Sequence, residues 1–450
     1  MCSITNMNGF FSWIAEQRKN VDRLNAELSP ENKLTLYFRG VNNHNFDNIP
    51  SIYRNRGLRE NESALYKDCM TSCPRDFDGE KTTFDRLVKM QHYGAPTRLL
   101  DISSNPLVAL FFASENVDTI PGKVYAIYVS EKARKFPDSD TVAAVSNLAL
   151  QSYDFNITHA DEKFDEFFNF LEKHPNALDI GRKEKEIIQI FNTGGEMGYL
   201  HHEIKAEKPH FQEIIKREHL ESIWCIKAKL NNNRIARQDG QFLLYGILGD
   251  KSIPLTIPNI DVAEKILDFM KSYNIALNNA AKNHNHCLCC DKIDNKTIDK
   301  FKEIMKFICL PDDVIVKYGD ILTQHPVIEG TATWSCLNDV LKKIRAQALI
   351  EKHKIINYML LISNRTQCSP YSSPSNLEAE MQICTQKVIT LNLFLGIIDA
   401  NNMIFCDAVK IINKSDIIKE LSGLGVTRDK LFPELESVAD FMKKKYASAK

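Results

Sequence analysis

Residues 91–113 read Gln91-His92-Tyr93-Gly94-Ala95-Pro96-Thr97-Arg98-Leu99-Leu100-Asp101-Ile102-Ser103-Ser104-Asn105-Pro106-Leu107-Val108-Ala109-Leu110-Phe111-Phe112-Ala113. The helical pattern of residues 81–95 stops at the Gly94-Ala95-Pro96 break, where glycine and proline punctuate the chain. Thr97–Ile102 then reads as a short strand or extended turn. Asn105 is a helix cap with Pro106 in the first turn, and Leu107–Ala113 is apolar all round. A helix with no polar face belongs in a core. This strand-turn-buried-helix unit sets the expectation of a mixed α and β architecture.

Working outward, Lys33–Gly40 alternates as a strand, with Leu34, Leu36 and Phe38 on one face and Thr35, Tyr37 and Arg39 on the other. Before it, residues 8–27 place Phe10, Phe11, Ile14, Val21 and Leu24 at helical period, an amphipathic helix that ends ahead of Pro30. Val124–Val129 is a continuous apolar strand, and further strands are expected at Ser222–Ala228 and Gln241–Ile247. Phe164, Phe167, Phe168 and Leu171 follow helical spacing. Past Pro254 and Pro258 the texture turns helical, at Val262–Tyr273, Ile298–Ile308 and Val340–Leu349. Residues 364–376 form a Ser/Pro-rich loop, and Lys387–Ile398 reads as a buried strand. There is no tandem repeat.

The chain has 450 residues, 57 Lys+Arg against 58 Asp+Glu, and 44% hydrophobic residues. Those values describe an ordinary globular protein long enough for two or three domains at roughly 150 residues each. Near-zero net charge argues against a surface built wholly for nucleic acid or membrane, since phosphate neutralisation needs a clustered basic excess. Lys443-Lys444-Lys445 suits a solvated helix end. No apolar stretch reaches the roughly 18–20 residues of a membrane span, and Met1–Asn6 lacks the pattern of a secretory signal, so a cytoplasmic protein without membrane contact is expected. Twelve cysteines, most of them alone in apolar stretches, read as reduced thiols.

Four motifs then stand in order. They are Tyr37-Phe38-Arg39-Gly40; Pro50-Ser51-Ile52-Tyr53-Arg54 with Glu62; the 91–113 segment; and Asn233–Phe242, an Arg-Ile-x-x-Gln-x-Gly-x-Phe pattern. Together they resemble the FRG domain, named for its (Phe/Tyr)-Arg-Gly motif. The family's ending, a strand, a Lys-rich helix, a glycine turn and Leu-Phe-Pro, resembles Val409–Tyr446 but arrives about 160 residues late. The resemblance therefore implies a discontinuous FRG domain of residues 33–250 and 406–450. An N-terminal helix over 1–32 precedes it, and a mainly helical insertion over 251–405 interrupts it. The pattern is also similar to the ADP-ribosyltransferase fold. The fold class expected is α+β, a mixed FRG/ADP-ribosyltransferase-like core with that insertion.

That similarity implies an NAD-binding domain, in which a first-strand Arg grips the dinucleotide, a Ser motif shapes the nicotinamide pocket and a third-strand Glu or Gln aids transfer. Catalytic candidates are Arg39, Tyr93, Ser103 and Gln238. Cofactor contacts are expected from Tyr37, Arg39, Gly40, His92, Arg98 and Asp101. Chemistry suits these roles: a guanidinium matches a pyrophosphate bidentately, an aromatic face attracts a cationic ring, and a nearby carboxylate or amide steadies an oxocarbenium-like state. The third position holds Gln238, beside Asp239, where a Glu would be matched. The activity implied is transfer of ADP-ribose to an unknown protein or nucleic-acid acceptor, or cleavage of NAD, in the setting of bacterial phage defence. The alternative is a noncatalytic interaction or nucleotide-sensing module. Each residue also has a structural role open to it. Arg39 can pair with Glu62 or Asp101, Arg98 and Asp101 can brace the turn, and His92 can be a satisfied, partly buried histidine. Gly40, Gly94 and Gly240 can serve turns or close approach, while Phe111 and Phe112 read as core.

His284, His286, Cys287, Cys289 and Cys290 crowd seven residues, yet no second Cys-x-x-Cys or His pair follows at zinc spacing. No metal is expected there; a turn with free thiols is. Phosphate-loop, dinucleotide-binding Gly-x-Gly-x-x-Gly, zincin and nucleophile-elbow motifs are absent.

Overall fold

The computed structural model describes residues 2–115, 119–160, 163–164, 166, 177–228, 237–269, 271, 295–308, 310–312, 314–316, 344, 347–352, 354–356, 358–359, 374–398 and 403–431. The fold is α+β. Eight strands form one mixed sheet: β1 (Ser3–Ile4), β2 (Leu34–Val41), β3 (Leu99–Ser103), β4 (Gly122–Ser130), β5 (Arg134–Lys135), β6 (Ile223–Ile226), β7 (Gly240–Tyr245) and β8 (Ile404–Ile411). Their order is β1-β8-β4-β2-β3-β7-β6-β5, with parallel pairs at both edges and antiparallel pairs between.

Both faces of the sheet are covered. On β2, Leu34 and Phe38 bury in one apolar cluster, while Tyr37 and Val41 bury in another on the opposite face. The alternation read in the sequence is thus a two-sided core strand, the pattern of a sheet covered by packing elements above and below.

Helix α1 (Met7–Glu27) starts where the Asn6 side chain accepts from Gly9 N at 2.9 Å. It lays Phe10, Trp13, Ile14 and Leu24 against β2 and β4, while Phe11 stays exposed. Helix α2 (Glu62–Ser72) and helix α3 (Thr83–His92) flank β3 and β7; Thr82 caps α3. Helix α4 (Pro106–Ser114) is the apolar helix, capped by Asn105 on Leu107 N. Its residues Val108–Phe111 and Ala113 are buried, and each large apolar side chain so enclosed stabilises the fold by about 1.5–3 kcal/mol.

A Cβ on Gly40 would lie 1.7 Å from Ala109 O, and one on Gly122 would lie 2.0 Å from Ala113 O. Backbone of α4 therefore sits directly on β2 and β4, an approach open only to glycine.

The segment between β7 and β8 is mainly helical where described. It includes residues 260–269, helix α5 (Asn295–Phe307) and helix α6 (Pro374–Ile398). Ile266, Ile304, Ile344 and Phe394 bury in the same cluster as β2 and β4, and Ile356 and Val388 in the cluster on the other face. The strand expected at Lys387–Ile398 is corrected: those residues are the last turns of α6. A continuous apolar run fits a buried strand or a buried helix equally, and here Val388, Leu391, Phe394 and Leu395 recur at helical spacing.

Strand β8 then pairs along β4 from Val129–Ile404 to Gly122–Ile411. Helix α7 (Lys414–Gly423) and the short helix α8 (Arg428–Leu431) follow it, with Ile417, Leu421 and Leu431 in the cluster that holds α4. No helix among the described residues is long and apolar enough to cross a membrane.

Candidate functional site

Strand β2 pairs with β4 along all eight of its residues, but among the described residues it meets β3 at one position, Phe38 opposite Ser103. Beyond that point the strands part. A cavity of about 190 Å³ is bounded by Arg39 and Gly40 on one strand and by Asp101 and Ile102 on the other. Its remaining walls come from the C-terminal end of α3 (Gln91, His92), from α4 (Val108, Phe112) and from the start of β7 (Gly240, Phe242).

Arg39 bridges the gap. Its Nη1 donates to the backbone carbonyl of Asp101 at 2.7 Å, its Nε is shielded from water, and that Nε has no acceptor among the described residues. Burial lowers the pKa of the guanidinium, opposed by the negative charge of Asp101. A cation so placed stays charged, because an arginine starts far above neutral pH.

Asp101 is exposed to the cavity. Its Oδ2 accepts from Gln91 Nε2 at 2.8 Å. Gln91 is itself aligned by Thr97, whose hydroxyl donates to Oε1. Ser103 lines the wall with its hydroxyl engaged in both directions: it donates to Gln238 O at 2.6 Å and accepts from Asn105 N at 2.9 Å. Gln238 also lines the cavity, and its Nε2 donates to Leu431 O at 3.0 Å, so α8 is fastened to the rim. Asp239, next to it, carries the one non-glycine positive φ among the described residues, 47°.

The structure thus brings Arg39, Gly40, His92, Asp101, Ser103 and Gln238 to one cavity. Three expected residues lie elsewhere. Tyr37 does not line the cavity; it is 1% exposed in the cluster that holds Val41 and Tyr125, and burial pushes its phenol up to about 12. Tyr93 does not line the cavity; it stands 72% exposed, edge-on to His92 at 5.2 Å. Arg98 is fully buried and grips Glu62 with Nε at 2.9 Å and Nη2 at 2.6 Å, while its Nη1 donates to Tyr245 O. Lys251 Nζ joins the same carboxylate at 2.9 Å. Arg98 therefore braces α2 against β3 and β7, and it is Arg98, not Arg39, that takes Glu62. Burial alone would raise Glu62, but Arg98 and Lys251 outweigh it and hold the carboxyl below its ordinary range.

Sequence reasoning missed Gln91 and Phe112. Gln91 lies inside the decisive motif, one turn from the Gly94 break; Phe112 was read as core, yet it is the partly exposed face of α4 that closes the cavity. The His284–Cys290 cluster lies outside the described residues. Among the described residues no group of three His, Cys, Asp or Glu is arranged for a metal.

Arg39-Gly40 near the end of β2 thus lies under the apolar α4 and beside the splayed seam with β3. Residues 35–120 match the family model of the FRG domain. The match spans β2, β3, α4 and the helices between them, while the wall from Gln238 to Phe242 lies outside it. No curated protein and no solved structure matches the chain.

Proposed function

We propose that the cavity between β2 and β3 binds NAD or a related nucleotide by its ring end, as an ADP-ribosyltransferase-like domain would. The observation that carries this reading is Arg39: a guanidinium at the edge of a cavity of mixed polar and apolar lining, its Nε shielded and without an acceptor among the described residues. An unsatisfied buried donor costs about 1–3 kcal/mol, which an anionic oxygen of a ligand would offset.

The fit supports one end of the ligand. Sites that enclose whole ligands run to about 300–1,000 Å³. At about 190 Å³ this cavity suits a single ring between Phe38, Phe112 and Phe242, with the rest of the dinucleotide outside. When bound, NAD supplies an N-glycosidic bond whose cleavage releases nicotinamide. The chain's own contribution is positioning: Arg39 directs an anion to the seam, Gln91 aligns the Asp101 side chain, and the phenylalanines exclude water from the ring.

A second reading, a noncatalytic nucleotide sensor, is favoured by Ser103 and Gln238. The Ser103 hydroxyl and the Gln238 amide nitrogen are both engaged in the protein's own hydrogen bonds. Calorimetric titration of NAD into wild type and Arg39→Ala, with nicotinamide followed in the same samples, separates the readings. Saturable binding lost in Arg39→Ala supports the cavity as the site, and nicotinamide release makes the protein an enzyme. Binding without release supports the sensor; equal binding by a folded Arg39→Ala would remove the proposal.

A further inference from the structure

The short helix α8 is pinned to the cavity rim, yet none of its residues lines the cavity. Leu431 O accepts from Gln238 Nε2 at 3.0 Å, Lys430 O accepts from Arg237 Nη1 at 3.4 Å, and Arg428 pairs with Glu115 just past the end of α4. Gln238 belongs to both sides of this contact: it lines the cavity, while its amide nitrogen is held by a carbonyl 193 positions further along the chain. Its backbone is fixed independently. The Gln238 carbonyl accepts from Ser103 Oγ at 2.6 Å, and Asp239 turns at φ 47°, a left-handed conformation that a residue with a side chain adopts where its surroundings impose it. With the backbone set, the Gln238 side chain is the part left to choose between Leu431 O and a ligand.

The fastening is weak. The Arg428–Glu115 pair is 55% and 25% exposed, and the Arg237 bond is long, so water and salt screen the ion pair. Within α8 only Leu431 is buried. Release of α8 is therefore a local opening and leaves the sheet intact. On the reading that the cavity is a nucleotide site, we propose that α8 is a clasp that regulates it. With α8 docked, the Gln238 amide is withheld from ligand; with α8 released, the amide is free to turn onto a ligand in the cavity. Docked α8 and bound ligand compete for one donor, so each weakens the other.

Arg428→Glu turns the ion pair into a repulsion and leaves Leu431, Gln238 and every cavity residue in place. Loss of an exposed pair shifts the balance between docked and released α8 by about fivefold. NAD affinity, measured by calorimetry on the full chain, should rise by about that factor, because apparent affinity follows the competent fraction. Glu115→Arg should do the same, and the double variant, whose charges attract again, should return to the wild-type affinity. Without NAD, hydrogen exchange at residues 237–240 and 428–431 should quicken together in each single variant, and thermal melting checks that every variant is folded. A purely structural contact, once broken, would lower NAD affinity or leave it alone. Affinity that is unchanged or lower in both single variants, or a rise that survives in the double variant, would overturn the inference and leave the nucleotide reading standing. NAD binding by none of the four proteins would sink the two together.

Discussion

Two neighbouring residues of the Arg-Gly pair do different work. Arg39 faces the seam with a donor that has no acceptor among the described residues, whereas Gly40 is required because Ala109 O occupies the place of its Cβ. Gly40→Ala must push α4 off β2, and overpacking of this kind costs about 1–3 kcal/mol or more. A fall of that size in the urea unfolding free energy is expected; an unchanged value would show that α4 lies further out. The pair was legible in the sequence as a motif, but not its division of labour. Tyr37 and Arg39 share a strand face, and alternation alone cannot tell that the sheet opens beside Arg39 and stays closed over Tyr37. Arg98 was harder still, because its partners Glu62 and Tyr245 lie 36 positions before it and 147 after it in sequence.

At the scale of elements, α2, β3 and β7 are joined by the buried Arg98–Glu62–Lys251 group. Removing one partner of such a group leaves an uncompensated charge, so Arg98→Met should destabilise by about 3–5 kcal/mol. The pH dependence follows from the direction of the Glu62 shift. Its folded pKa lies below the ordinary value, so the stabilisation is complete above about pH 4.5 and is lost as pH falls through the folded value. Urea midpoints between pH 7 and pH 3 should show this acid loss in wild type and a shallower one in Glu62→Gln; parallel curves would remove the ion pair from the account. Elements with caps and clear periods, such as α1, α3 and α4, were readable from sequence. Helix α6 was not, because its apolar end obeys the strand and helix templates alike until its 25-residue length is known.

Across the molecule, the sheet is completed by a strand from beyond a long intervening segment: β8 pairs with β4, and α8 then reaches the cavity rim through Leu431 O and Gln238. A late return of the chain was expected from the displaced motif, but its place against the cavity was not legible, since no local pattern encodes a contact between residues 238 and 431. On the proposed reading, ligand enters at the parted β2–β3 seam. Hydrogen exchange of the full chain with and without saturating NAD tests it directly. Protection concentrated at residues 38–41, 88–93 and 100–104 is the predicted result; bound NAD with protection elsewhere and none in those segments would contradict it.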